Sequence, residues 1–215
     1  LISGDTVNTN IVGTYTVLYN YTDTDNNRAT QLSRIVNVVD TTAPVITLNG
    51  NAEITIEAGS TYNELGATVT DNYDPDNVAV VGGDTVDTSS VGIYIITYNF
   101  TDVNGNAATE VIRTVTVVDT TAPLITIDGG NTMTLEYLDT FVEPVVTVTD
   151  NLDDTRTING VGAVDTSTLG TYTLTYNTTD TVGNVAVEVT LTVTVVDTTV
   201  PFITLNGDAE ITLQA

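Results

Sequence analysis

Apolar and polar residues alternate in short runs along the whole chain, and no run carries a helical period. The longest alternation, Ile93–Thr101, places Tyr94, Ile96, Tyr98 and Phe100 on one face. Val45–Leu48, Glu53–Glu57, Ala67–Thr70, Val78–Val81 and Glu110–Val118 read as further strands. The first two are expected to pair with each other across Asn49-Gly50-Asn51. Asp71–Asn77 reads as a loop, Gly82–Gly92 as a long turn region, and Val103–Ala107 as a hairpin turn around Asn104-Gly105. Short strands with turn signals roughly every ten residues predict an all-β sandwich.

The pattern repeats. Asp-Thr-Thr-Ala-Pro stands at Asp40–Pro44 and Asp119–Pro123, and Asp-Thr-Thr-Val-Pro at Asp197–Pro201, spacings of 79 and 78 residues. Gly13, Gly92 and Gly170 each stand two residues before a tyrosine, Tyr15, Tyr94 and Tyr172. Pro201–Ala215 matches Pro44–Ala58 at 11 positions. A period of this size signals an array of modules, each large enough for a small core of its own. The expected division is 1–39, the later part of one repeat; 40–118 and 119–196, two whole repeats; and 197–215, the first strands of another. Both ends then fall inside a repeat, and the chain reads as a window of something longer.

Asp87–Tyr94 and Asp165–Tyr172 resemble the corner that opens strand F of immunoglobulin-type domains, in which the tyrosine hydroxyl locks an upstream turn. The wider set of motifs runs Val-Val-Asp-Thr-Thr-Ala-Pro, Ile-Thr-Leu-Asn-Gly, Gly-Ala-Thr-Val-Thr-Asp-Asn, Gly-Xaa-Tyr, then Thr-Asp-Xaa-Xaa-Gly-Asn. In that order they resemble bacterial immunoglobulin-like surface repeats. These are of the type found in a pesticidal crystal protein and in large exoproteins, with HYR-type modules as relatives. The resemblance implies tandem immunoglobulin-like sandwiches forming an extended rod outside the cell, and it implies no enzyme.

Composition narrows the chemistry. The chain has 28 acidic and 4 basic side chains, a formal charge of −24, and no Cys or His. Its only cations of side-chain origin are Arg28, Arg34, Arg113 and Arg156. Imidazole, thiolate and lysine chemistry are absent, and no nucleophile–base constellation stands out. Paired carboxylates such as Asp153-Asp154 could hydrolyse glycosides in principle, but acidic turn loops are a far commoner source of that pattern. Nucleic acid is disfavoured because phosphate binding needs clustered Lys and Arg. An anionic membrane surface would repel the chain, and no apolar run reaches the roughly 18 residues of a span. The 46 threonines favour strands, since β-branched side chains suit the pleat. Asn20, Asn99 and Asn177 each open an Asn-Xaa-Thr sequon, in register.

Of 20 aspartates, 13 fall in three places per repeat: the linker, the loop after the Ala67-type strand and the late hairpin turn. In the second repeat these are Asp40; Asp71, Asp74 and Asp76; and Asp102, with Asn104 beside it. In the third they are Asp119; Asp150, Asp153 and Asp154; and Asp180, with Asn184 beside it. Immunoglobulin topology brings the linker, the B–C loop and the F–G loop to one pole, so four or five carboxylates would converge there. Without a counter-ion each close pair repels by about 1–4 kcal/mol. Hard oxygen ligands in flexible loops suit calcium better than magnesium, which demands stricter geometry. Solvated turns remain the rival, because Asp and Asn are the residues that turns prefer.

The expected function is a structural extracellular spacer, stalk or fibre-forming region of a bacterial surface protein or adhesin, stiffened by calcium at its junctions. Expected partners are neighbouring copies of the same repeat and a surface or glycan receptor elsewhere in the full protein. The alternative is a module that itself binds a glycan or receptor through its loops. The lack of Trp weakens that alternative, as does the change from Tyr73 to Leu152 at one loop position.

Overall fold

The computed structural model describes residues 1–75 and 77–214, and among them there is no helix. The chain forms two compact units, Leu1–Val118 and Asp119–Ala215. Unit 1 holds β1 (Ile2–Gly4), β2 (Gly13–Tyr19), β3 (Leu32–Val38), β4 (Val45–Leu48), β5 (Glu53–Glu57), β6 (Ala67–Thr70), β7 (Asn77–Val78), β8 (Val80–Gly83), β9 (Gly92–Asn99) and β10 (Val111–Val118). Unit 2 holds β11 (Leu124–Ile127), β12 (Thr132–Glu136), β13 (Val146–Thr149), β14 (Arg156–Thr157), β15 (Gly170–Tyr176) and β16 (Val189–Val196).

In unit 1 the strands β1-β2-β3 form one sheet. The sheets β4-β6-β7 and β5-β10-β9-β8 form the two layers of a sandwich. Alternation decides what lies between the layers. Ile46, Ala67 and Val69 point inward from the first layer and meet Ile96, Tyr98 and Val115 of the second. Unit 2 repeats the plan with β11-β13-β14 over β12-β16-β15. Ile125, Ile127, Val146 and Val148 there face Leu174, Tyr176, Leu191 and Val193.

Two local expectations from the sequence are corrected. Val45–Leu48 and Glu53–Glu57 do not pair with each other. β4 runs antiparallel to β6, whereas β5 runs parallel to β10 in the other layer. The Asn49–Asn51 turn, with Gly50 at φ 94°, moves the chain from one layer to the other instead of reversing it. The strand expected over Val78–Val81 is likewise divided at Ala79, with β7 on β6 and β8 on β9. The buried Ala79 side chain fills the core where the chain changes layer. The two switches join the layers at opposite edges, β4 to β5 on one side and β7 to β8 on the other.

The tyrosine corners form as expected. The Tyr94 hydroxyl donates to Asp87 O at 2.9 Å and to Ser90 O at 3.0 Å. Tyr15 reaches Asn8 O and Ile11 O, and Tyr172 reaches Thr168 O at 2.8 Å.

One core position separates the second repeat from the third. Arg113 on β10 is fully buried, and its counterpart on β16 is Leu191. The guanidinium donates to Asn51 O (3.0 Å), Asn49 O (2.7 Å), Tyr98 Oη (3.3 Å) and the Glu64 carboxylate. It thus staples the inter-layer turn to the last strand and satisfies a charge that burial alone would not tolerate. In unit 2 the Tyr176 hydroxyl lies buried near Glu143. Desolvation, with the carboxylate's help, pushes its pKa up to about 12.

Removing Glu64, which strands the fully buried guanidinium, should cost far more than replacing the arginine by an apolar residue, which leaves only the partly exposed Glu64 carboxylate. Glu64→Ala is expected to destabilise the second repeat by about 3 kcal/mol. That is the low end for a stranded buried charge, since two carbonyls still hold the guanidinium. Arg113→Leu, which recreates the Leu191 arrangement, is expected to cost much less. Urea unfolding of the two variants tests the order, and equal losses would contradict it.

Candidate metal centres

β4 and β6 pair with Val45 opposite Thr70, so the residues just before β4 and just after β6 lie at the same pole. β9 and β10 form a hairpin whose turn begins at Asp102, closed by the Thr101–Ala107 bridge. These registers bring Asp40, Asp71 and Asp102 together, each offering an oxygen within 4.8 Å of the others. In unit 2 the pairing of Leu124 with Thr149 and the Thr179–Val185 bridge do the same for Asp119, Asp150 and Asp180.

Each carboxylate is aimed by backbone amides. Asp102 Oδ1 accepts from Asn104 N (3.0 Å) and Asn106 N (2.7 Å), and Oδ2 accepts from the Asn106 carboxamide (2.7 Å). Asp180 is held alike by Val182 N, Gly183 N, Asn184 N and the Asn184 carboxamide. Asp71 Oδ2 accepts from Tyr73 N and Asp74 N, and Asp150 Oδ1 from Leu152 N and Asp153 N. These bonds leave Asp71 Oδ1, Asp150 Oδ2 and Asp119 Oδ2 buried with no hydrogen-bond partner. Buried acceptors are normally satisfied, and either a cation or a bound water would satisfy these three carboxylate oxygens.

Electrostatics separates the members. Burial raises the Asp119 carboxyl, and the charges of Asp150 and Asp180 add to it. Hydrogen bonds from Thr121 and Asn151 only partly oppose this. Burial would also raise Asp102 and Asp180, but their turn hydrogen bonds outweigh it and hold both below the ordinary value.

The remaining candidates are placed differently. Asn104 joins the first cluster by donating to Asp40 Oδ2 at 3.3 Å, and Val182 occupies its place in the second. Asn184 donates to Asp119 O and Thr121 O as well as to Asp180. Asp74 and Asp153 stand outside the clusters and tie loop to loop. Asp74 accepts from Val103 N, whereas Asp153 accepts from Thr181 N and Oγ1 and pairs with Arg156 at 3.5 Å. Asp154 is exposed. Asp76 lies outside the described residues. Asn106 and Asn72 belong to the first cluster's surroundings, since both donate to Asp40. The sequence signal for Asn106 is the Asp-Xaa-Xaa-Xaa-Asn spacing shared by Asp23/Asn27, Asp102/Asn106 and Asp180/Asn184.

A family model described as "Bacterial surface protein, Ig-like domain" matches residues 46–117 and 125–195. Hyalin of Strongylocentrotus purpuratus is 34% identical over 122 residues, 54% of this chain, and the chain spans 10% of hyalin's length. A solved structure of the M60 catalytic domain with two CBM51 domains from Clostridium perfringens ZmpB superposes with a TM-score of 0.40 at 13% identity. It covers 89% of this chain and 34% of that one, a likeness too loose to carry an argument.

The raised Asp119 carboxyl sets the sign of a pH effect. A native pKa above the unfolded value means that the folded state binds the proton more readily. The stability this contributes is present below the unfolded pKa and lost as pH rises through the native one. Asp119→Asn should therefore stabilise metal-free unit 2 at neutral pH by about 1 kcal/mol or less, one screened like-charge contact. The advantage should disappear in acid, where the wild-type carboxyl is itself neutral. Melting curves in chelator across the acidic range check this, and a destabilising Asp119→Asn at neutral pH would contradict it.

Proposed function

The chain belongs to the family of bacterial surface protein Ig-like domains, and on that premise we propose that its repeats act as a calcium-stiffened spacer in a cell-surface protein. The observation that carries the reading is the pair of corresponding aspartate clusters, the first with one and the second with two buried carboxylate oxygens that lack a hydrogen-bond partner. Calcium takes six to eight oxygen ligands in adaptable geometry, and Asp, Asn and backbone carbonyl oxygens of turn loops are of that kind. Asp40 and Asp119, with their two loop partners, would hold the ion, and water would complete its shell.

The mechanism is local. The linker aspartate belongs to the Asp-Thr-Thr-Ala-Pro segment, where proline fixes its own φ and restricts the residue before it. A cation shared between that aspartate and the two loops would pin the linker to the head of the repeat it precedes. A short linker without glycine, pinned at one end, behaves as a stiff joint and not as a tether. Repeated along an array, such joints hold a distal part of the protein away from the cell surface, and neighbouring copies of the repeat are the natural contacts. We read the array as non-catalytic, since its carboxylates are engaged by turn amides and no nucleophile–base pair accompanies them.

Calcium should raise the melting temperature, because a ligand bound only by the native state stabilises it by about 2.7 kcal/mol at a hundredfold excess over Kd. Asp119→Ala should abolish uptake in unit 2 and leave unit 1 unaffected, and Asp71→Ala should do the reverse. Calorimetric titration and melting in chelator against millimolar calcium test both statements. Identical melting curves would leave solvated acidic turns as the explanation.

A further inference from the structure

Within unit 1 the Tyr73 side chain links the first repeat to the loop that carries Asp71. Tyr15 on β2 closes residues 8–11 into a turn by donating to Asn8 O and Ile11 O, at 3.1 and 2.9 Å. Val12 follows that turn, and its N–H donates to the Tyr73 hydroxyl at 3.2 Å, across 61 residues of chain. Tyr73 stands on the loop after β6, two residues beyond Asp71. Its own N–H is held by Asp71 Oδ2 at 2.8 Å, and Asp74 N bonds the same oxygen. The other oxygen, Oδ1, is the one left bare and buried in the cluster with Asp40 and Asp102. One carboxylate therefore holds the base of Tyr73 and presents its free oxygen to the candidate ion.

We propose that Tyr73 is a latch between the first and second repeats, set by the cation bound at Asp71. This rests on the calcium reading above. An ion on Asp71 Oδ1 fixes the carboxylate, the carboxylate fixes the Tyr73 backbone through Oδ2, and the hydroxyl is thereby kept in place for Val12 N. A lone exposed hydrogen bond is weak against the freedom of two linked repeats, so it depends on its loop being held. Without the ion, repulsion among Asp40, Asp71 and Asp102 works against that loop position. The coupling thus has a stated physical path and a two-state element, the closed or open latch. Leu152 occupies the corresponding loop position in unit 2 and has no hydroxyl, so the device is particular to Tyr73.

The chain has no cysteine, so Ser33→Cys and Thr109→Cys, at exposed positions in the first and second repeats, give two unique spin-label sites. Pulsed-dipolar distance distributions are compared in chelator and in millimolar calcium, in the labelled background and with Tyr73→Phe added. The background is expected to narrow with calcium. Tyr73→Phe is expected to lose that narrowing while calorimetry shows calcium uptake retained at the same stoichiometry, with affinity lowered by no more than the latch coupling. Tyr73→Phe narrowing as fully as the background overturns the latch. No calcium uptake by either chain overturns the calcium reading, and with it the coupling. A Tyr73→Phe distribution still broader than the background would then identify a latch that works without an ion. Asp71→Ala is expected to lose both uptake and narrowing, and narrowing retained without uptake would overturn the coupling alone.

Discussion

The architecture depends on one constraint: a repeat of this size has a single core layer, so each strand can bury only one face. The two-layer sandwich meets that constraint best when its two open edges are closed. The chain closes them by changing layer at Asn49–Asn51 and at Ala79, so β4 and β5 serve different sheets. The same arrangement fixes the polarity of every loop. With Val45 opposite Thr70 and β9 turning into β10, the linker and two loops have no alternative but to share a pole.

That core is filled in two ways. The second repeat places Arg113 at full burial and surrounds it with two turn carbonyls, Tyr98 and Glu64. The third places Leu191 there, and Glu143 instead accepts from Gly160 N at 2.6 Å. A buried charge is tolerated only when fully coordinated, whereas an apolar residue needs no such shell. The arginine therefore commits the inter-layer turn of its repeat to one geometry. Arg34 stands at the same position of the first repeat, 5.6 Å from the Tyr19 ring centre.

The acidic pole follows from turn chemistry before any ligand is considered. An aspartate at the start of a tight turn accepts the turn's own amides, as Asp102 and Asp180 do. That use consumes one side of the carboxylate. At Asp71 and Asp150 the other oxygen is left facing its neighbours, and at Asp119 burial and like charge combine to raise the carboxyl. The turns and the candidate cation sites thus draw on the same residues. A surface rich in turn aspartates and two pre-aimed clusters therefore occur in one chain.

Sequence alone determined the strand character, the period near 79 residues and the inward faces. Those follow from side-chain alternation and from turn residues, which act over a few positions. It also determined that Tyr15, Tyr94 and Tyr172 lock corners, and that linker and loop aspartates group by repeat. It misplaced the partners of Val45–Leu48 and Glu53–Glu57, because pairing across an interrupted strand is decided by which layer has a vacant edge. It likewise gave Asp74, Asp153 and Asp154 the same standing as Asp71 and Asp150. Only the tertiary structure separates them. A difference of two or three residues along a loop turns a carboxylate into the cluster, toward the neighbouring loop or into solvent, and local spacing does not encode that direction.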